Sequence, residues 1–81
     1  MTGILDKYLE EHGLTRYRLA KESGISAATW FHTNSRPLDR WTVKQVRAIA
    51  ECTGVTPSVA LQKLEDIEKW QHTVLQGFHD I

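Results

Sequence analysis

The stretch from Leu14 to Arg36 constrains the fold more than any other, because two short helical patterns meet in it across a turn of a few residues. Thr15 precedes the first pattern and Ser26 the second, and both side chains are of the type that caps a helix N-terminus. Gly24 lies between the patterns, where it can adopt the positive φ that ends a helix. Two helices joined in this way form a helix-turn-helix, whose second helix can enter the DNA major groove. A plain αα-hairpin in a small bundle is the alternative.

The distribution of charge favours the DNA-binding alternative. The net charge of the 81 residues is zero, yet residues 13–47 contain seven of the ten basic residues and two of the ten acidic ones. The basic side chains of this segment are Arg16, Arg18, Lys21, Arg36, Arg40, Lys44 and Arg47. Because this positive charge coincides with the helix-turn-helix, a surface that docks a polyanion is a better interpretation than a solvated basic face.

Length and composition restrict the remaining possibilities. Eighty-one residues make one domain, 1–81, whose core is small enough that self-association is plausible. No apolar run is long enough to span a membrane, and residues 1–12 lack the pattern of a signal peptide. Cys52 is the single cysteine, so no internal disulfide can form, and we expect a small core residue in a cytoplasmic protein.

The spacing of apolar residues predicts an all-α fold of five helices. The first covers about residues 3–12, and the second and third form the helix-turn-helix at 15–35. Trp30 and Thr33 are predicted to face the core. Pro37 ends the third helix, because proline disfavours helical geometry in the residue before it.

Thr42 is predicted to cap a fourth helix, and the Thr56-Pro57 pair is a start signal for a fifth. The buried residues expected in the fourth helix are Val43, Val46, Ile49 and Ala50, with Cys52 or Thr53. The fifth helix extends over about 57–77, longer than a core of this size can cover. Its second half is therefore predicted to dimerise, although a frayed tail or a junction to a further domain are alternatives. Its first half is predicted to close the core. The predicted dimerisation residues are Leu64, Ile67, Gln71, Val74 and Phe78, with Trp70 as the alternative to Gln71 in the spacing.

Several of these signals recur together in a known family; they are Thr15, Leu19-Ala20, Gly24-Ile25-Ser26, Trp30, Thr42 and Gly54-Val55-Thr56. Over residues 4–62 the chain resembles the five-helix Cro/C1-type (XRE) helix-turn-helix domain of phage repressors. The runs LTRYRLAKESGIS, PLDRWTV and LEDIEK resemble more closely the N-terminal domain of a type II-A anti-CRISPR protein from prophages. In that family this domain represses the anti-CRISPR promoter, and a separate domain inhibits Cas9. The resemblance implies a stand-alone autorepressor domain.

Two positions depart from the family pattern. Many Cro/C1-type proteins place Gln at the start of the second helix and of the recognition helix, where this chain has Arg16 and Ala27. Arg16 can hold a phosphate, but the pair of glutamines that positions a base-reading amide is missing. The family's rules for which base is read therefore do not carry over.

The helix-turn-helix geometry predicts which residues contact DNA. Base contacts are expected from Ala27, Ala28, Thr29 and His32, with Phe31 and Asn34 at the margin. His32 is alternatively a neutral surface histidine, and Asn34 alternatively caps the helix end. Contacts to the DNA backbone are expected from Thr15, Arg16, Tyr17, Ser26, Arg36, Arg40 and Lys44.

The sequence thus predicts a transcriptional repressor that binds double-stranded DNA as a homodimer, on a palindromic operator in an anti-CRISPR or phage promoter. The alternative is a protein-interaction module, either an antitoxin or a domain that binds Cas9 directly. No catalytic residues, metal site, cofactor, small-molecule substrate or membrane association are predicted, and His72 and His79 are expected to be surface residues.

Overall fold

Five α-helices and one short 3-10 turn make up most of the computed structural model, which describes the backbone of residues 3–77 and the side chains of residues 3–71. The helices are α1 (Ile4–Glu11), α2 (Arg16–Ser23), α3 (Ala27–Asn34), α4 (Val43–Thr53) and α5 (Pro57–Gly77). The 3-10 turn, Leu38–Arg40, joins α3 to α4. This order confirms the predicted all-α, five-helix fold with a long last helix, and the described backbone contains no strand.

The two helices of the helix-turn-helix begin at the predicted caps. The Thr15 hydroxyl accepts a hydrogen bond from the backbone N–H of Arg18 at 3.2 Å. The Ser26 hydroxyl accepts one from the N–H of Thr29 at the same distance. Gly24 ends α2 with a φ of 75°, a conformation that glycine adopts without a steric penalty. Local chemistry therefore determines where α2 ends and α3 begins.

The start of α4 is capped and also tied to α3. The Thr42 hydroxyl accepts from the N–H of Gln45, whose side chain accepts in return from the N–H of Thr42. The Gln45 amide nitrogen donates to the hydroxyl of Thr33 at 2.7 Å. Thr33 is buried, and its own proton goes to the carbonyl of Thr29. The capping box thus also satisfies a buried hydroxyl of α3.

A single apolar core holds all five helices together. Trp30 is completely buried, as predicted, and its indole N–H donates to the hydroxyl of Ser23 at 3.2 Å. The N–H of Ile25 donates to the same hydroxyl, so Ser23 ties the turn to α3. The buried apolar residues are Ile4, Leu5, Tyr8, Leu9, Leu19, Trp30, Leu38, Ile49, Ala50, Ala60, Leu64 and Ile67.

The predicted core of α4 is wrong at Val43, whose side chain is 66% exposed. Val46 is partly buried, and Ile49 and Ala50 are buried, so the apolar stripe of α4 begins one turn after Val43. Helical periodicity identifies a face of a helix, but it does not tell how far along that face the neighbouring helices reach.

Leu64 and Ile67 are predicted to lie in a dimer seam, but the monomer itself buries both side chains. Leu64 is fully buried and Ile67 is 7% exposed within the monomer, because both lie in the half of α5 that closes the core against α1 and α4. The carboxylate of Glu68 accepts from the N–H of Leu38 at 2.8 Å, which ties α5 to the 3-10 turn as well. Gln71 is half-buried, and the side chains of Val74 and Phe78 lie outside the described residues. Over the described range, no helix is both long and apolar enough to cross a membrane.

Candidate nucleic-acid interface

Helix α3 turns one face to the core and the opposite face to solvent. Trp30 and Thr33 are buried, whereas the remaining side chains from Ala27 to His32 are exposed. The exposed residues are Ala27, Ala28, Thr29, Phe31 and His32. This set contains all four residues that the sequence predicts to contact bases.

The polar side chains of α3 are mostly engaged within the protein. The Thr29 hydroxyl lies 2.8 Å from that of Ser26. Asn34 is half-buried, and both ends of its amide bond to Asp6 of α1. The remaining polar side chain on the solvent side of α3 is that of His32. Its ring meets the Phe31 ring edge-on, with the centroids 5.7 Å apart. Asn34 therefore bonds to the first turn of α1, a contact that differs both from base readout and from the predicted cap of its own helix.

The side chain of Arg16 places a positive charge at the N-terminus of α2. The Arg16 Nε lies 2.9 Å from a carboxylate oxygen of Asp6, and about a third of each side chain is exposed. The guanidinium carbon also lies 5.4 Å from the centre of the Phe31 ring, within range of a cation–π contact. Because a guanidinium has five N–H donors and the salt bridge uses the one on Nε, the group keeps the capacity to bind an anion. The partial positive charge of the α2 N-terminus acts in the same direction.

A cleft of about 650 Å³ brings several predicted contact residues together between the N-termini of α2 and α3. Among its lining residues are Thr15, Arg16, Tyr17, Ala27, Ala28 and Phe31. A shallower depression of about 350 Å³ shares Tyr17 and Ala27 with the cleft and adds Ser26 and Lys21. The cap residues, two cations and the first turn of α3 thus form one continuous surface.

The other predicted phosphate contacts lie after the recognition helix. Arg36 follows α3, Arg40 lies in the 3-10 turn, Lys44 lies in the first turn of α4, and all three are exposed. The Trp41 indole N–H donates to the carbonyl of Arg36 at 3.2 Å, which holds this loop together. These side chains extend the basic surface beyond α3, outside the cleft.

The sequence does not predict the part that three residues take in this surface. Phe31 is only at the margin of the predicted base contacts, and Lys21 and Asp6 have no individually predicted role. Phe31 follows Ala27 and Ala28 by four and three residues, so helical spacing puts the three side chains on one side and was a usable signal. Asp6 had no such signal, because Arg16 and Asn34 are ten and 28 residues away along the chain.

In the described part of the chain, no cluster of three His, Cys, Asp or Glu side chains could hold a metal ion. Partial burial, followed by the charge and the hydrogen bond of Glu22, raises the pKa of the Cys52 thiol. A thiol with a raised pKa is less reactive than an ordinary one, because the thiolate is the nucleophile.

Comparison with known families agrees with this geometry. A family model described as the Cro/C1-type HTH DNA-binding domain matches residues 5–69. The match covers most of the chain, including every helix from α1 to the middle of α5. A comparison with curated proteins finds no match.

Proposed function

The chain belongs to the Cro/C1-type helix-turn-helix DNA-binding family, and from this premise we propose that it is a transcriptional repressor that binds a palindromic operator as a dimer. Family membership makes it a DNA-binding transcription regulator. The repressor role, the operator symmetry and the residue roles below are our proposals.

The observation that carries the proposal is the position of Arg16 beside the exposed face of α3. Its guanidinium stands next to Phe31 and shares a cleft with Ala27 and Ala28. A phosphate bound by Arg16 and by the N–H groups near Thr15 would place α3 against the adjacent groove. Such contacts set the register of the protein on DNA without reading bases.

The surrounding residues extend this arrangement. Tyr17 is 76% exposed and Ser26 caps α3, so both are proposed to contact the DNA backbone. Arg36, Arg40 and Lys44 are proposed to contact the flanking backbone. Base contacts are proposed for Ala27, Ala28, Thr29 and His32. The Thr29 hydroxyl shares one hydrogen bond with Ser26 and keeps either its proton or a lone pair for a base.

The proposed dimer centres on Trp70 of α5, which the helical spacing offers as the alternative to Gln71. Trp70 is 63% exposed and lies with the buried Ile67 along a groove of about 400 Å³ between α1 and α5. Lys7, Glu11, Lys63 and Asp66 line the same groove. A second copy related by a twofold axis can set the cations of one protomer against the carboxylates of the other, since an isologous interface is self-complementary. Gln71, Val74 and Phe78 remain proposed members of this interface.

The regulated gene is proposed from the resemblance to the anti-CRISPR domain. An anti-CRISPR or phage operon promoter is the expected target. The exposed Trp70 would equally serve a protein-interaction module, such as an antitoxin or a domain that binds Cas9, and this is the second candidate function.

A DNA-binding titration separates the two candidates. The protein is titrated against the promoter upstream of its own gene, against an anti-CRISPR promoter and against random duplexes of equal length, at several salt concentrations. The repressor proposal expects at least about 10³-fold tighter binding to one promoter, falling steeply with salt. Equal binding to all duplexes would contradict it, and a complex with Cas9 under the same conditions would favour the second candidate.

A further inference from the structure

We propose that Phe31, together with Ala27 and Ala28, forms an apolar surface that recognises the C5-methyl group of thymine in the major groove. This proposal rests on the DNA-binding function proposed above and names the chemistry that the recognition helix reads. Phe31 becomes a specificity-determining residue in place of the family's missing glutamines.

The first argument is the shortage of free polar groups on α3. Thr29 is hydrogen-bonded to Ser26, and Asn34 is bonded at both ends of its amide to Asp6. Hydrogen-bond readout by α3 is therefore limited to His32 and to the capacity that the Thr29 hydroxyl keeps beside Ser26. A helix with so few free polar groups needs a second source of specificity, and apolar contact with a methyl group is the other form of direct readout in the major groove.

The second argument is the state of the Phe31 ring. It is 55% exposed, which is unusual for a phenylalanine, yet two neighbours hold it in place. The Arg16 guanidinium lies over it at 5.4 Å, and the His32 ring meets it at 76°. The ring is thus ordered before binding, and burying its uncovered part against DNA costs little conformational entropy.

The third argument is the shape and chemistry of the surrounding surface. Ala27 and Ala28 line the same cleft as Phe31, and their methyl groups leave space beside the ring. Thymine is the one standard base that presents a methyl group in the major groove. An apolar recess of this kind favours thymine over cytosine, and it gains nothing from uracil, which has the same hydrogen-bonding groups as thymine without the methyl.

The test uses the methyl group that thymine has and uracil lacks. Binding sites are selected from a pool of random duplexes, and each thymine of the selected site is then replaced by deoxyuridine. Affinity is measured by fluorescence anisotropy. Loss of one recognised methyl group is expected to weaken binding about three- to fivefold, the effect of exposing one buried methyl-sized group. Thymines outside the contacted positions are expected to tolerate the replacement.

Two variants connect the effect to Phe31. Phe31→Ala is expected to bind the thymine and deoxyuridine sites nearly equally, and Phe31→Leu to retain part of the preference. Val59→Ala is the matched control, because Val59 is also 55% exposed but lies on α5. This control is expected to keep the full preference for thymine.

The outcomes distinguish failure of this inference from failure of the proposed DNA-binding function on which it rests. If the selection enriches no sequence, the proposed sequence-specific binding itself is overturned. An enriched site whose deoxyuridine versions all bind as tightly as the original would overturn thymine-methyl recognition and leave the binding function standing. A Phe31→Ala variant that keeps the full preference would overturn the role of Phe31.

Discussion

The side-chain oxygen of Asn34, the last residue of α3, accepts a hydrogen bond from the backbone N–H of Asp6 in the first turn of α1 at 2.9 Å. The Asn34 nitrogen donates to the Asp6 carboxylate at 3.2 Å, and the other carboxylate oxygen pairs with Arg16. Gly3 precedes α1 and has no side chain to cap it. Asn34 therefore performs from another helix the capping function that a residue at position 3 normally performs, and Asp6 links α1, α2 and α3.

Replacing Asn34 by alanine is expected to lower the free energy of unfolding by about 1–2 kcal/mol, the cost of a lost N-cap. Urea denaturation followed by circular dichroism measures the change. Ser35→Ala is the control, because Ser35 is exposed and its hydroxyl bonds within its own helix. We expect that variant to change stability by less than about 0.5 kcal/mol. Equal losses in the two variants would contradict the capping role.

Gly3→Ala is expected to destabilise the protein by a related mechanism. A Cβ at this position would run into the side-chain amide of Asn34. The loss should shrink when Asn34 is already alanine, because the obstructing amide is then gone. A double-mutant cycle of unfolding free energies should give a coupling of about 0.5–3 kcal/mol, typical of residues in contact. Additive losses would mean that the two positions do not interact.

Arg16→Ala should weaken binding to all DNA sequences alike, because a phosphate contact carries no sequence information. The slope of log affinity against log salt, measured with a random-sequence duplex, should fall in magnitude by about 1. Arg18→Ala is the matched control, since Arg18 also lies on α2 and pairs with a carboxylate, that of Glu22 at 3.1 Å, but lines neither the cleft nor the shallower depression. A slope that changes equally in both variants would refute the proposed position of the DNA.

Cys52 should make the protein less stable at alkaline pH. Burial first, and then the charge and hydrogen bond of Glu22, raise the pKa of the thiol from its usual 9.0 in the folded state. The folded state therefore favours the protonated thiol, and this contribution is present below the unfolded pKa and lost as pH rises through the folded pKa. Unfolding free energies between about pH 8 and pH 10 should fall more in the wild type than in Cys52→Ala. Parallel pH profiles would show that Cys52 contributes nothing.

Trp70→Ala is expected to raise the dissociation constant of the proposed dimer by at least about tenfold, because a central aromatic residue often dominates an interface. Sedimentation equilibrium measures this constant directly. Leu61→Ala is a control on the same helix, because Leu61 is 40% exposed and does not line the groove between α1 and α5. A dimer that persists unchanged in Trp70→Ala would move the interface elsewhere.

The sequence by itself determined the helices, their ends and the family. Thr15, Ser26 and Thr42 cap helices by bonding to N–H groups three residues away, and Gly24 ends one through its own backbone angle. Such signals act within a single turn, so they can be recognised without knowing the fold. The helical period likewise predicts that Trp30 and Thr33 face the core. It predicts that the other side chains between Ala27 and His32 face solvent.

The tertiary structure alone decided which of these faces are used. Leu64 and Ile67 have the spacing of a dimer seam, yet α1 and α4 already cover them, whereas Val43 has the spacing of a core residue and is exposed. Asn34 meets Asp6 across 28 residues, and that contact removes its amide from base readout. Periodicity and capping are properties of one helix, whereas burial and long-range hydrogen bonds depend on how separate helices pack, so only the folded chain reveals them.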